Sequence, residues 1–345
     1  MQPSVQEVPG ELRVAVVGGG SWGTTLANLL AEKGLRVDLW VYEPEVAGQI
    51  RTGRENRLFL PGVALSPNLN VSTDLVRTVA AKDLVVVVVP SHVMRATTTA
   101  MADALGPDTC VVSASKGIEN RTYLTMTGVL KETLGLPDLR LGVLSGPSFA
   151  AEVARRMPTT VTAASYNLEL ARRVQAVFAT PFFRVYTHAD VMGVELGGSV
   201  KNVIAIAAGI VDGLGFGLNT RAALITRGMT EIRRLGLRLG ANPRTFTGLA
   251  GYGDLILTCT GNLSRNHTLG FKIGQGERLS AILAATRSVA EGVHTSESVY
   301  NLSRQLGVEM PICHQTYRIL YEELPPKEAL FQLMSRNLKA ELDDE

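Results

Sequence analysis

The stretch GGSVKNVIAIAAGI (197–210) sets Lys201 and Asn202 among residues that are otherwise small or apolar, Ser199 excepted. Burial disfavours an ammonium ion, so an amine in such a segment is drawn toward a near-neutral pKa. A proton donor to an alkoxide that forms as a ketone is reduced needs that property. The competing reading is a lysine that reaches solvent from a helix end. A second chemistry-bearing pattern, Gly18-x-Gly20-x-x-Gly23, stands near the start of the chain. In a dinucleotide fingerprint the first glycine permits the tight turn, the second lets a pyrophosphate approach the backbone, and the third allows helix and strand to pack closely. The following helix offers unpaired N–H groups and a positive dipole end to the phosphates. Glu43 lies twenty residues beyond Gly23. An acid there accepts hydrogen bonds from ribose hydroxyls and repels a 2′-phosphate. With no Lys or Arg between Arg36 and Arg51, the cofactor expectation is NAD or NADP, with NAD favoured.

Several elements must hold these residues. LRVAVVGGG (12–20) reads as a buried strand, SWGTTLANLLAEKG (21–34) as a helix stopped by Gly34, and LRVDLWVYE (35–43) as a second strand. The five valines of DLVVVVVP (83–90) fit a parallel strand covered on both faces. Further strands are expected at 109–115, 139–150 and 182–187, with a helix at about 93–105. This alternation predicts an α/β Rossmann-type domain with a doubly wound, mostly parallel sheet. After about residue 190 the pattern becomes helix-periodic, as in RAALITRGMTEIRRLGLRLG (221–240). The expected division is a dinucleotide-binding domain over 1–190 and an all-α substrate-binding and catalytic domain over 191–345, with Lys201 near the start of its first long helix. The acidic tail, ELDDE, reads as frayed.

Composition narrows the function classes. A chain of 345 residues exceeds what one core usually fills. A net charge of +2 makes no electrostatic case for nucleic acid or membrane surfaces, so an anionic substrate needs a local cationic pocket. Cys110, Cys259 and Cys313 are scattered, which fits a reducing cytosol better than a disulfide framework. The opening MQPSVQEVPGEL has no signal-peptide pattern, and the 196–211 segment falls short of the roughly 18 residues of a membrane span. A cytoplasmic protein is expected. The five histidines form no HExxH or i, i+4 pair, so no metal is expected. Ser148 lies outside any G-x-S-x-G elbow, which argues against a hydrolase.

The motifs VVGGGSWGTTLA, VVVVVPSH, SASKG, SGPSFA, GVELGGSVKNVIAIAAGI, AGYGDLILTCTGNLSRN and VAEGVHT, in this order, closely resemble the NAD(P)-dependent glycerol-3-phosphate dehydrogenase family, its bacterial form in particular. The resemblance runs from about residue 12 to about residue 320. It implies interconversion of dihydroxyacetone phosphate and sn-glycerol 3-phosphate, a phospholipid head-group precursor. It also implies Lys201 as general acid/base with Asn202 beside it, and Lys116 as a second active-site lysine. Implied substrate contacts are Gly146, Ser148, Asp254, Ser264, Arg265 and Asn266. Implied cofactor contacts are Ser21, Trp22, Lys116, Ala150, Arg265, Val289 and Glu291. At Tyr42 many NADPH-using bacterial members carry Arg or His. Here WVYEP is more similar to the aromatic–acid pair of NAD-specific eukaryotic relatives.

Each residue has a plainer alternative. Arg265 suits bidentate phosphate binding but also reads as a solvated loop arginine. Lys116 follows a strand at the carboxyl edge, where open sheets bind ligands. Asp254 either orients an ammonium or caps the helix after it. His92 after Pro90 reads as a strand-end loop histidine, the alternative being a place near the cofactor. Two rival functions remain at this point: a two-domain, lysine-dependent hydroxyacid or ketopantoate-type reductase, and a non-catalytic dinucleotide sensor. The apolar helical half makes a homodimer the expected assembly.

Overall fold

The computed structural model describes residues 12–285, 289–338 and 340–341; the opening segment and nearly all of the acidic tail discussed above lie outside the described residues. The strands are β1 (Val14–Val17), β2 (Val37–Trp40), β3 (Leu69–Ser72), β4 (Leu84–Val87), β5 (Cys110–Ser113), β6 (Leu141–Ser145), β7 (Thr159–Ala164) and β8 (Phe183–His188). They form one sheet in the order β3-β2-β1-β4-β5-β6-β7-β8, parallel except where β7 runs against β6. Helices α1 (Ser21–Glu32), α2 (Pro44–Gly53), α3 (Leu75–Val79), α4 (Met94–Met101), α5 (Met126–Leu134), α6 (Ala150–Ala154) and α7 (Leu168–Phe178) connect the strands. Two apolar clusters explain the valine run. Leu84 and Val86 pack on one side with Leu26, Leu30 and Phe178, while Val85 and Val87 pack on the other with Met94, Met101 and Leu130. A strand buried on both faces needs no alternation.

Two strands escape the sequence reading. LNVS of β3 is a half-exposed edge strand, and TTVTAA of β7 carries threonine and alanine where a hydrophobic run would have marked it. The second strand is also shorter than expected, so Tyr42 and Glu43 lie in the loop beyond it.

From Val191 onward the described elements are helical: α8 (Val191–Gly213), α9 (Leu218–Arg238), α10 (Asp254–Thr260), α11 (Arg265–Gly274), α12 (Leu279–Ala284), α13 (Glu291–Leu306), α14 (Pro311–Tyr321) and α15 (Pro326–Met334). Helix α8 is the axis of this half, packed by α9, α10, α11, α13 and α14. It is the one helix among the described residues long and apolar enough to cross a membrane, and its apolar stretch of 18 residues is wholly buried. Lys201 does not sit near its start, as the sequence suggested, but about three turns in. The helix begins early because Asp190 caps it, its Oδ1 accepting from the Gly193 N–H at 2.9 Å.

Two contacts fix α8 against the sheet half. Glu195 accepts from the Thr127 N–H (2.8 Å) at the start of α5, burial pushing its carboxyl pKa up. The Ser199 hydroxyl donates to the Gly117 carbonyl (3.1 Å). Within the helical half, Asp190 Oδ2 also accepts from the Asn242 N–H at 2.9 Å, joining the head of α8 to the segment after α9. On its other side α8 lies backbone to backbone against α11. A Cβ at Gly209 would stand 2.1 Å from the His267 carbonyl oxygen, and one at Gly270 only 2.0 Å from that of Ile206. The helices run in the same direction, which brings Asn266 opposite Asn202.

Candidate active site

Lys201 is 4% exposed, and its ammonium is fully engaged. Nζ donates to Thr258 Oγ1 (2.6 Å) and Asn202 Oδ1 (3.2 Å), and lies 3.1 Å from Asp254 Oδ1. Burial brings its pKa down to about 8; Asp254 opposes that shift and the nearby charge of Lys116 adds to it. The solvent-reaching alternative therefore does not describe this lysine. Asp254, 2% exposed, spans both amines: its Oδ2 accepts from Lys116 Nζ at 2.6 Å. One carboxylate between two ammonium groups leaves the pocket positive, suited to an anionic substrate.

Asp254 is not a helix cap. It is the first residue of α10, reached through a π turn over Leu249–Gly253, a distortion often found at functional sites. Its side chain turns to the lysines, while Thr258, one turn on, donates to the Asp254 carbonyl (2.6 Å) and accepts from Lys201. Thr258 was absent from the sequence reading. Its i+4 spacing from Asp254, on one helix face, is the signal that marks it.

Other expected residues join this cluster through hydrogen bonds. Lys116 Nζ donates to the Gly146 carbonyl (3.1 Å), and the Ser148 hydroxyl donates to the same oxygen (3.0 Å). Asn202 Oδ1 also accepts from Asn266 Nδ2 (3.0 Å), whose own Oδ1 accepts from the Gly292 N–H (2.9 Å). Ser264 is the N-cap of α11, accepting from the His267 N–H at 3.2 Å. Arg265 is exposed and, among the described residues, makes no hydrogen bond or ion pair.

The glycine-rich turn lies at the carboxyl edge of β1. Gly18 has φ +125°, a conformation open to glycine, and a Cβ there would meet the Val88 carbonyl oxygen at 2.6 Å. A Cβ at Gly23 would lie 1.9 Å from the Gly18 carbonyl oxygen. Gly20 is different: a Cβ there meets nothing within 4 Å. The open space lies where α1 begins, without a side-chain cap or an acid in its first turn. Free N–H groups over an open cradle fit a dinucleotide pyrophosphate.

The remaining cofactor candidates are distributed around this turn. Ser21 and Trp22 open α1, and the Trp22 ring lies 6.4 Å from that of Phe183. Ala150 begins α6, its carbonyl accepting from the Thr25 hydroxyl (3.3 Å). Tyr42 is 75% exposed, and Glu43 sits at the head of α2 without capping it, its carboxylate unused by the helix. Val289 is half-buried two residues before Glu291. Glu291 accepts from the Ser91 hydroxyl (2.5 Å), tying α13 to the end of β4, and burial raises its pKa. Ser91 was missed in sequence because nothing local connects VVVVVPSH to VAEGVHT. The His92 and His294 rings meet at a tilt of 31° with centroids 4.7 Å apart, beside that contact.

Comparison with known proteins agrees with this architecture. The family described as "NAD-dependent glycerol-3-phosphate dehydrogenase N-terminus" matches residues 13–171, and "NAD-dependent glycerol-3-phosphate dehydrogenase C-terminus" matches 190–331. The chain is 57% identical over 332 residues to a protein of Syntrophobacter fumaroxidans named glycerol-3-phosphate dehydrogenase [NAD(P)+], covering 96% of this chain and 97% of that one. The crystal structure of glycerol-3-phosphate dehydrogenase from Coxiella burnetii superposes with TM-score 0.91 at 39% identity, over 94% of this chain and 99% of that one. A ketopantoate reductase family structure from Ralstonia eutropha (TM-score 0.61, 17% identity, 92% of this chain and 100% of that one) shares the fold alone. The chain belongs to the NAD-dependent glycerol-3-phosphate dehydrogenase family.

Proposed function

We propose that Lys201 is the general acid and base of the glycerol-3-phosphate dehydrogenase reaction that this enzyme carries out with NAD(P)+. The observation that carries the reading is the buried ammonium held by Thr258, Asn202 and Asp254, with burial lowering its pKa to about 8. When bound, the nicotinamide cofactor supplies the hydride that reduces dihydroxyacetone phosphate at C2, or takes it in the reverse direction. Lys201 hydrogen-bonds the C2 oxygen and delivers a proton to it as the carbon is reduced; in the reverse direction the neutral amine removes that proton. Asp254 fixes the lysine's direction and keeps enough of it charged. Lys116, Arg265 and Asn266 hold and orient the phosphate-bearing substrate, assisted by Gly146, Ser148 and Ser264, the entropic share of catalysis. Residues 1–190 serve as the dinucleotide-binding domain and 191–345 as the substrate-binding and catalytic domain. The test is spectrophotometric: loss of reduced-nicotinamide absorbance on adding dihydroxyacetone phosphate. An enzyme inert to that substrate would overturn the proposal.

The pH profile gives this acid a signature. Protonated Lys201 is the reducing form, so kcat/KM for dihydroxyacetone phosphate should hold below about pH 8 and fall about tenfold per unit above it. Oxidation of glycerol 3-phosphate should rise with pH through the same value. Profiles of the two directions with the same slope sign would remove Lys201 from the role.

The cofactor preference we propose is NAD. Glu43, free of helix capping, is available to the adenosine ribose, and Tyr42 beside it brings no cation for a 2′-phosphate. With NADH and NADPH assayed in parallel, NADH should have the lower KM, and Glu43→Gln should narrow the difference. A wild-type preference for NADPH would refute the assignment. Cys110, Cys259 and Cys313 are unpaired, which supports a reducing, cytoplasmic setting. Support for a homodimer lies in the exposed Phe331 and Met334 of α15.

A further inference from the structure

The first turn of α11 carries Arg265, and it is held from both sides. On one side Asn266 bridges Asn202 and the Gly292 N–H. On the other, the His267 ring Nε2 lies 2.8 Å from Asp212 Oδ2, which also accepts from Arg221 Nη1 at 2.8 Å. Asp212 stands near the end of α8 and Arg221 in the first turn of α9, so one carboxylate gathers three helices. The cluster is largely shielded: the side chains of His267, Asp212 and Arg221 are 13%, 17% and 26% exposed. The His267 N–H closes the cap on Ser264. Arg265 directly precedes these anchors; among the described residues its guanidinium makes no hydrogen bond or ion pair, with the charge of Glu291 nearby.

We propose that the Asp212–His267 pair positions Arg265 for the substrate phosphate, acting on substrate affinity and not on proton transfer at Lys201. The inference rests on the reading of Arg265 as the phosphate fork. An exposed arginine on a loose helix end must be ordered when the phosphate binds, and that ordering subtracts from affinity. An anchored first turn has met the backbone share of this cost during folding. Among the described residues His267 makes no hydrogen bond or ion pair with Lys201, Thr258, Asn202 or Asp254, so its removal should leave the acid in place.

The test compares dihydroxyacetone phosphate with dihydroxyacetone, which has no phosphate to grip. His267→Ala should raise KM for the phosphorylated substrate about tenfold with kcat within about twofold, leaving kcat/KM for dihydroxyacetone within about twofold. His267→Gln, whose amide can still donate to Asp212, should recover most of the affinity. Asp212→Asn carries the expectation of the alanine variant if that one does not fold. Equal losses on both substrates, or an unchanged KM, would overturn the proposal. Arg265→Ala separates the two levels. If it discriminates between the substrates and the His267 variants do not, this inference alone falls; if it fails to discriminate, the phosphate reading falls with it.

Discussion

Lys201→Ala should lower kcat by about 100- to 10,000-fold, the range general acid–base groups contribute. That corresponds to roughly 3–5 kcal/mol of transition-state stabilisation. The loss should fall on kcat more than on KM, because the substrate contacts proposed for Lys116, Asn266 and Arg265 remain. The fold should tolerate the change. Asp254 keeps its 2.6 Å partner in Lys116, so no carboxylate is left buried alone. Lys201→Arg should not rescue activity: a guanidinium with a pKa above about 12 stays protonated, and its planar fork does not match the three partners of the ammonium. Steady-state rates at several pH values read the outcome. A variant retaining near-normal kcat would show that the proton comes from elsewhere.

Gly270→Ala should damage stability and activity together. The added Cβ would stand 2.0 Å from the Ile206 carbonyl oxygen and 3.0 Å from the Ile210 nitrogen, both rigid backbone atoms of a buried helix. No side chain can yield there, so α8 and α11 must separate. Overpacking of this kind costs about 3 kcal/mol or more, which should lower the thermal midpoint by at least about 5 °C. The separation should also stretch the 3.0 Å contact between Asn266 and Asn202, so kcat/KM should fall even in the folded fraction. Gly48→Ala is the control: its Cβ meets nothing within 4 Å on helix α2, so the change should be neutral or slightly stabilising. Calorimetry of the two variants decides it. If Gly270→Ala melts with the wild type, the close approach of these helices does not constrain the enzyme.

Much of this architecture was legible because local signals agreed with the fold. The valine run of β4 is buried on both faces, so composition alone marks it, and Gly18-x-Gly20-x-x-Gly23 joins a strand to a helix where the fingerprint requires it. The misses have physical causes. β3 lies at an edge and β7 is rich in threonine and alanine, so neither carries a strong hydrophobic pattern. The start of α8 was set too late because its signal is a cap at Asp190, and the apolar run begins afterwards. The head of α10 left two readings of Asp254, an active-site group or, less favoured, a helix cap, since an aspartate before an apolar run can serve as either. Only the position of the two lysines shows which way it faces.

The chain by itself determined a dinucleotide turn, a helical second half, and a lysine in apolar company, since each depends on neighbours a few residues apart. Tertiary structure alone decided what surrounds that lysine. Burial in the helical half lowers its pKa, while Thr258, Asp254 and Lys116, from 57, 53 and 85 residues away in sequence, hold its ammonium or adjust that pKa through their charges. Electrostatic coupling depends on separation in space, and separation across a fold is not written in any short stretch of sequence.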